Sequence, residues 1–235
     1  MQDTLDLEPG DLANLALQRT GRLFAIGGRN AFNTWIESGD KAPIERFLSA
    51  KDKAHAMIEG ILADIAGELS QLLPLISEPP SRLASIGPGM CFYELLLYEA
   101  WRPARMYLID IEHTAEHHQG MNKTGSGYNE NEAARKFLLK NGVAPAAIHF
   151  ANPRNEQLDL SPVDLIVSNL SMGFHYPCNE YVDYIKTALP AGGHLIFDRR
   201  HGADDSGWEV LSPYFSHIGA ITHKKREKVV FRRNV

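Results

Sequence analysis

The chain is poor in cysteine: Cys91 and Cys178 are the only two in 235 residues. Two cysteines so far apart exclude a disulfide framework and a cysteine-built zinc site, and point to a reducing compartment, so a cytoplasmic protein is expected. No apolar run comes near the ~18 residues that a membrane-spanning helix needs, and no membrane partner is expected. The opening Met1-Gln-Asp-Thr-Leu-Asp-Leu-Glu8 has neither the basic nor the apolar stretch of a secretory signal. Repeats and low-complexity segments are absent. So is a basic excess: 24 Lys and Arg against 29 Asp and Glu leave a net charge of −5. An acidic body suits neither nucleic acid nor an anionic membrane. One basic run, from His223 to the end, holds six basic side chains and one acidic. It reads as the solvated edge of a hairpin, where lysines also discourage edge-to-edge pairing.

What remains is ordinary globular material, 44% hydrophobic and 23% charged, enough to bury a substantial core. The texture changes near Glu78-Pro79-Pro80. Before it the pattern is helical. Ile58, Ile61, Leu62, Ile65, Leu69, Leu72 and Leu73 keep i, i+3, i+4, i+7 spacing, which predicts an amphipathic helix over 52–73. Shorter helices are expected over 12–23 and 31–38. Residues 1–80 therefore read as a helical cap or dimerisation region. After Pro80, short apolar runs alternate with helical ones. Strands are expected at 82–86, 105–110, 147–150, 163–168 and 194–197, with helices at 92–100, 130–141, 179–189 and 208–215. Asn129 and Glu132 are placed like a capping box for the second of these helices. This alternation implies a mostly parallel sheet covered on both faces, and makes 81–235 an α/β domain. The last two runs, 218–223 and 228–231, are too close for a crossover helix and must form an antiparallel hairpin.

Chemistry concentrates at the ends of the strands. Leu83-Ala-Ser85-Ile86-Gly87-Pro88-Gly89-Met-Cys91 runs from a strand through Gly-x-Gly into a helix. Such glycines let a ligand approach the backbone, and the helix N-terminus offers free N–H groups to an anion. About twenty residues on, Asp110 ends the next strand, where an acidic side chain can accept from ribose hydroxyls. A third segment, Ser168-Asn169-Leu-Ser171-Met-Gly-Phe174-His175-Tyr176-Pro177, reads as a loop after the fourth strand. Open α/β sheets bind ligands at that end. A further stretch, Glu112 to His118, places His113 and His117 at helical i, i+4 spacing beside His118, but no third ligand is set by spacing, so no metal is expected. The connection from Ile111 to Tyr128 is long enough to serve as a lid or binding loop.

These segments, in this order, resemble the class I S-adenosylmethionine-dependent methyltransferases from about Ser81 onward. Ala84 to Cys91 looks like the family's glycine-rich first motif, with Ser85 where an acid is usual and Cys91 where a third glycine is usual. The resemblance implies a Rossmann-like fold with a reversed last strand. It also implies S-adenosylmethionine held by Ser85, Ile86, Gly87, Pro88, Gly89, Asp110, Ile111, Ala151, Asn152, Ser168 and Asn169. Asn152 stands where aspartate is common. The expected reaction is methyl transfer to a small molecule at a hydroxyl, of a sugar or another metabolite. His175 would act as the base, with Ser171, Phe174 and Tyr176 as the acceptor wall. An NAD-dependent reductase would want Gly-x-Gly-x-x-Gly, and Phe92 occupies the third place. An RNA methyltransferase would want a broader basic face. A scaffold that keeps the fold without catalysis is the remaining alternative.

Overall fold

The computed structural model describes residues 7–112, 130–203 and 205–234. Five helices come first: α1 (Pro9–Gln18), α2 (Thr20–Ala25), α3 (Arg29–Ser38), α4 (Ala42–Leu48) and α5 (Lys51–Leu72). Then β1 (Arg82–Ile86), α6 (Phe92–Trp101), β2 (Arg105–Ile109), α7 (Asn131–Lys140), β3 (Ile148–Ala151) and β4 (Leu165–Ser168) alternate as expected. They are followed by β5 (Ser171–Tyr176), α8 (Val182–Ala188), β6 (His194–Arg200), α9 (Ser206–Leu211), β7 (Phe215–Thr222) and β8 (Arg226–Arg233). The seven-stranded sheet has the order β3-β2-β1-β4-β6-β8-β7. Pairing is parallel from β3 to β6, and β8 runs antiparallel to both β6 and β7.

Alternation along the strands sorts the core into two layers. Leu83, Met106, Leu108, Leu165 and Val167 face one side, in one continuous cluster with α1, α3, α5, α6 and α7. Ala84, Tyr107, Ile109, Ile166 and Phe197 face the other side, against α8 and α9. The N-terminal helices therefore share their core with the sheet.

Three expectations are corrected. The stretch after β4, read as a loop, is strand β5 lying against β6. Helix α4 lies where no helix was expected; it is only seven residues long, with a proline in its first turn. The basic run is no solvated edge either. β8 sits inside the sheet and β7 is the edge, and the i, i+2 pair Arg226 and Lys228 points inward, with the Lys228 side chain only 1% exposed.

These two cations meet buried carboxylates. Asp198 on β6 takes Arg226 at 2.6 Å and Lys228 at 2.9 Å. Arg226 also reaches Glu68 on α5 at 2.5 Å. The Lys228 ammonium lies 5.1 Å from the centre of the Tyr93 ring and donates to Asn169 at 2.9 Å. Burial acts to raise the Asp198 carboxyl, but Lys228 and Arg226 more than offset it and hold it below its ordinary range. Removing one member of such a network leaves an uncompensated buried charge. Asp198→Ala should therefore cost about 3–5 kcal/mol of stability in denaturant unfolding. A loss under 1 kcal/mol would show that the network is not a stabilising element.

Candidate functional site

The carboxyl ends of β1, β2, β3 and β4 lie side by side, and hydrogen bonds tie them together. The Gly87 N–H donates to Ile109 O at 2.8 Å, and the Asp110 N–H to Ala151 O at 3.1 Å. Ser168 Oγ donates to Ile86 O at 2.9 Å. The turn after β1 needs its glycines: Gly87 and Gly89 have φ of 67° and 56°, backbone that L side chains rarely adopt. Cys91, in the third-glycine position, takes the same left-handed conformation at φ 60° and is fully buried. Space is short as well. A Cβ on Gly87 would run into the Ser171 hydroxyl, and one on Gly89 into the Gln18 carboxamide.

Asp110 faces this turn and is 8% exposed. Gly89 N–H donates to its Oδ2 and Glu112 N–H to its Oδ1, each at 3.0 Å. Burial raises its carboxyl above the ordinary value, against the pull of those N–H groups. The Ile111 N–H also bears on this carboxylate, and an ionised carboxylate has about four acceptor sites, so acceptor capacity remains. Asn152 Nδ2 donates to Ile111 O at 3.3 Å and Glu112 Oε2 at 2.9 Å, and so fixes the turn after Asp110. Asn169 accepts from Lys228 through Oδ1, while its Nδ2 is a buried donor without a hydrogen-bond partner among the described residues. The structure thus brings Ser85, Ile86, Gly87, Pro88, Gly89, Asp110, Ile111, Ala151, Asn152, Ser168 and Asn169 to one end of the sheet.

The four expected site residues on β5 divide. Ser171 and Tyr176 are buried, their hydroxyls 2.8 Å apart, against the glycine turn. Phe174 and His175, 4.9 Å apart and edge to face, line a neighbouring cavity of about 560 Å³. Its other walls come from α1, α2, α3, α5, β6, the β7–β8 turn and the start of β8. Gln18, at the end of α1, belongs to both places: it lines the cavity and accepts the Met90 N–H at 3.0 Å. His113, His117 and His118, the connection around them and Asn129 lie outside the described residues. Among the described residues, no group of three His, Cys, Asp or Glu is placed to hold a metal, and no helix is long and apolar enough to cross a membrane.

Two site residues escape sequence reasoning. Gln18 carries no local signal, lying some seventy positions upstream of the turn it covers. Glu94 had one: Ser85 leaves the acid position of the motif empty, and Glu94 is the acid in the first turn of the next helix. Ser85 Oγ donates to Glu94 Oε1 at 2.5 Å, so a carboxyl returns to the end of β1 from α6.

Burial pushes the Glu94 carboxyl up to about 7, against the Ser85 hydrogen bond. The unfolded chain ionises this group near 4.5, so the folded state binds its proton more tightly, and stability falls as pH rises from 4.5 to 7. Between pH 5 and 8 this group should remove about 2–3 kcal/mol. In Glu94→Gln, unfolding free energies measured across that range should lose that component. Identical pH dependence in the two proteins would mean that Glu94 titrates normally.

No protein-family model matches the chain, and no curated protein does. Solved structures do resemble it in fold. N-methyltransferase NodS from Bradyrhizobium japonicum WM9 is 16% identical, over 72% of this chain and 96% of that one, with a TM-score of 0.48. Magnesium protoporphyrin IX methyltransferase (ChlM) from Synechocystis PCC 6803, solved with S-adenosylmethionine, is 16% identical over 77% and 83%, at 0.48. A mutant of MtNAS in complex with S-adenosylmethionine is 12% identical over 94% and 73%, at 0.49. The mostly parallel sheet, the reversed β8 and the glycine turn after β1 give this chain the Rossmann-like fold expected from its sequence.

Proposed function

We propose that this protein is an S-adenosylmethionine-dependent methyltransferase acting on a hydroxyl of a small molecule such as a sugar. Asp110 carries the reading. It is a carboxylate at the end of β2, directed at the glycine turn by the Gly89 N–H, with acceptor capacity left over. A carboxylate in this place suits the hydroxyls of a ribose. The orphaned Asn169 Nδ2 suits an anionic group on the same ligand, so the residues present fit the cofactor. When bound, S-adenosylmethionine supplies an electrophilic methyl group.

The remaining work falls to the chain. The helices α1 and α2 wall the cavity beside the turn, with Gln18 at the boundary, so an acceptor there is held in place and shielded from water. A hydroxyl must lose its proton as it is methylated. His175, lining that cavity beside Phe174, accepts the proton on a ring nitrogen. The Phe174 ring packs the acceptor, while Ser171 and Tyr176 support the wall from the side of the turn.

Calorimetric titration with S-adenosylmethionine, S-adenosylhomocysteine and NADH tests the cofactor. The first two should bind and NADH should not. Asp110→Ala should weaken cofactor binding at least about tenfold, the value of a charge-assisted hydrogen bond. Unchanged affinity in a folded Asp110→Ala protein would overturn the nucleoside site. His175→Ala should lower turnover roughly 10²–10⁴-fold and lose the acidic limb of the pH–rate profile, with cofactor affinity kept. Wild-type turnover in that variant would remove His175 from the chemistry.

A further inference from the structure

The cavity beside the glycine turn carries more positive charge than it neutralises. Five cationic side chains and two carboxylates line it. Arg22 is paired with Asp64 on α5, and Arg226 with Glu68 and Asp198. That leaves Arg19, Arg200 and Lys225. Arg200 donates to Phe174 O at 3.0 Å and stacks over the Phe174 ring at 4.8 Å. It meets no carboxylate among the described residues, and neither does the exposed Lys225.

Arg19 is the most telling of the three. It sits at the break between α1 and α2, next to Gln18, and is half-buried. No hydrogen bond or ion pair reaches its guanidinium among the described residues. The carboxyls in its electrostatic range are Glu68, Asp198 and Glu94, and Arg226 opposes it from the same side. Glu68 and Asp198 are already taken by Arg226 and Lys228, and Glu94 is bonded to Ser85. A guanidinium withdrawn from water without a partner is costly. Its planar fork of donors matches a carboxylate or phosphate.

We infer that the methyl acceptor carries an oxyanionic group, carboxylate or phosphate, held in this cavity by Arg19 with Arg200 and Lys225. The inference rests on the methyltransferase reading and names the class of acceptor: a hydroxylated anion, its charge at Arg19 and its hydroxyl at His175 in the same cavity.

The test is calorimetry on the full chain saturated with S-adenosylhomocysteine, at ionic strength held constant with chloride. The probes are inorganic phosphate, acetate, glucose 6-phosphate and glucose. Saturable binding of phosphate and glucose 6-phosphate identifies a phosphate site, and saturable binding of acetate a carboxylate site; glucose should bind more weakly than either class. Arg19→Gln should weaken the bound anion at least about tenfold, and Arg19→Lys should recover part of that loss by restoring charge without the fork. Should Arg19→Gln fail to fold, Lys225→Gln, on an exposed side chain, should still weaken the anion by about threefold. The inference is overturned if none of the three anions binds, if glucose binds as well as they do, or if folded Arg19→Gln binds them unchanged. It is also overturned if Arg19→Gln weakens S-adenosylhomocysteine as much as the anion, because Arg19 then serves the cofactor. Failure of the wild type to bind S-adenosylhomocysteine at all would instead strike the methyltransferase reading.

Discussion

The Asp198 carboxylate joins parts of the molecule that are far apart in sequence. One oxygen accepts from Leu170 N–H at 2.8 Å and from Lys228 at 2.9 Å; the other accepts from Arg226 at 2.6 Å. Through Leu170 it sets the turn between β4 and β5, and so where Asn169 and the β5 side chains begin. Through Arg226 it reaches Glu68 and the long helix α5. Through Lys228 it holds Asn169 Oδ1, which leaves that residue's Nδ2 as the unsatisfied donor. In a low-dielectric interior such a network restricts geometry more than it adds net stability, because desolvation offsets much of the attraction.

The two halves of the site differ in electrostatic character. At the ends of β1 and β2 the polar groups are backbone N–H donors and two buried carboxyls, Asp110 and Glu94. The adjoining cavity is lined by guanidinium and ammonium groups in excess of acids. Gln18, an uncharged amide, stands between them and bonds to the backbone of the turn. A neutral divider lets opposite potentials coexist at short range without an ion pair collapsing one onto the other.

Much of this was legible in the sequence. The α/β alternation and the hairpin follow from periodicity and from the short gap between the last two strands. The glycine turn and Asp110 follow from their place after apolar strands. Other features were not legible, for definite reasons. Ser171 to Tyr176 has a glycine near its centre, no β-branched residue and no clear alternation, so the local pattern does not mark a strand despite Phe174 and Tyr176; its place beside β6 makes it one. Arg226 and Lys228 look like surface charge because charge runs usually are. Only the insertion of β8 between β6 and β7 turns alternate residues of that run inward. Arg19 and Gln18 are ordinary residues at a helix end, and their position over the site depends on packing between α1 and a turn some seventy residues away. The local rules for helices and strands carry no information about contacts of that range.

The position of β8 also bears on the order in which the protein can be completed. It is made after both of the strands it lies between. It brings the two cations that neutralise Glu68 and Asp198. Until those residues emerge, α5 and β6 each carry a carboxylate that the core cannot accept at full charge, and β6 and β7 have no partner between them. The helical N-terminal part can form from local contacts during synthesis, but the sheet is completed between β6 and β7 only once β8 has been made. Until β8 arrives, β6 keeps both an unpaired edge and an unneutralised carboxylate, which a chaperone could shield.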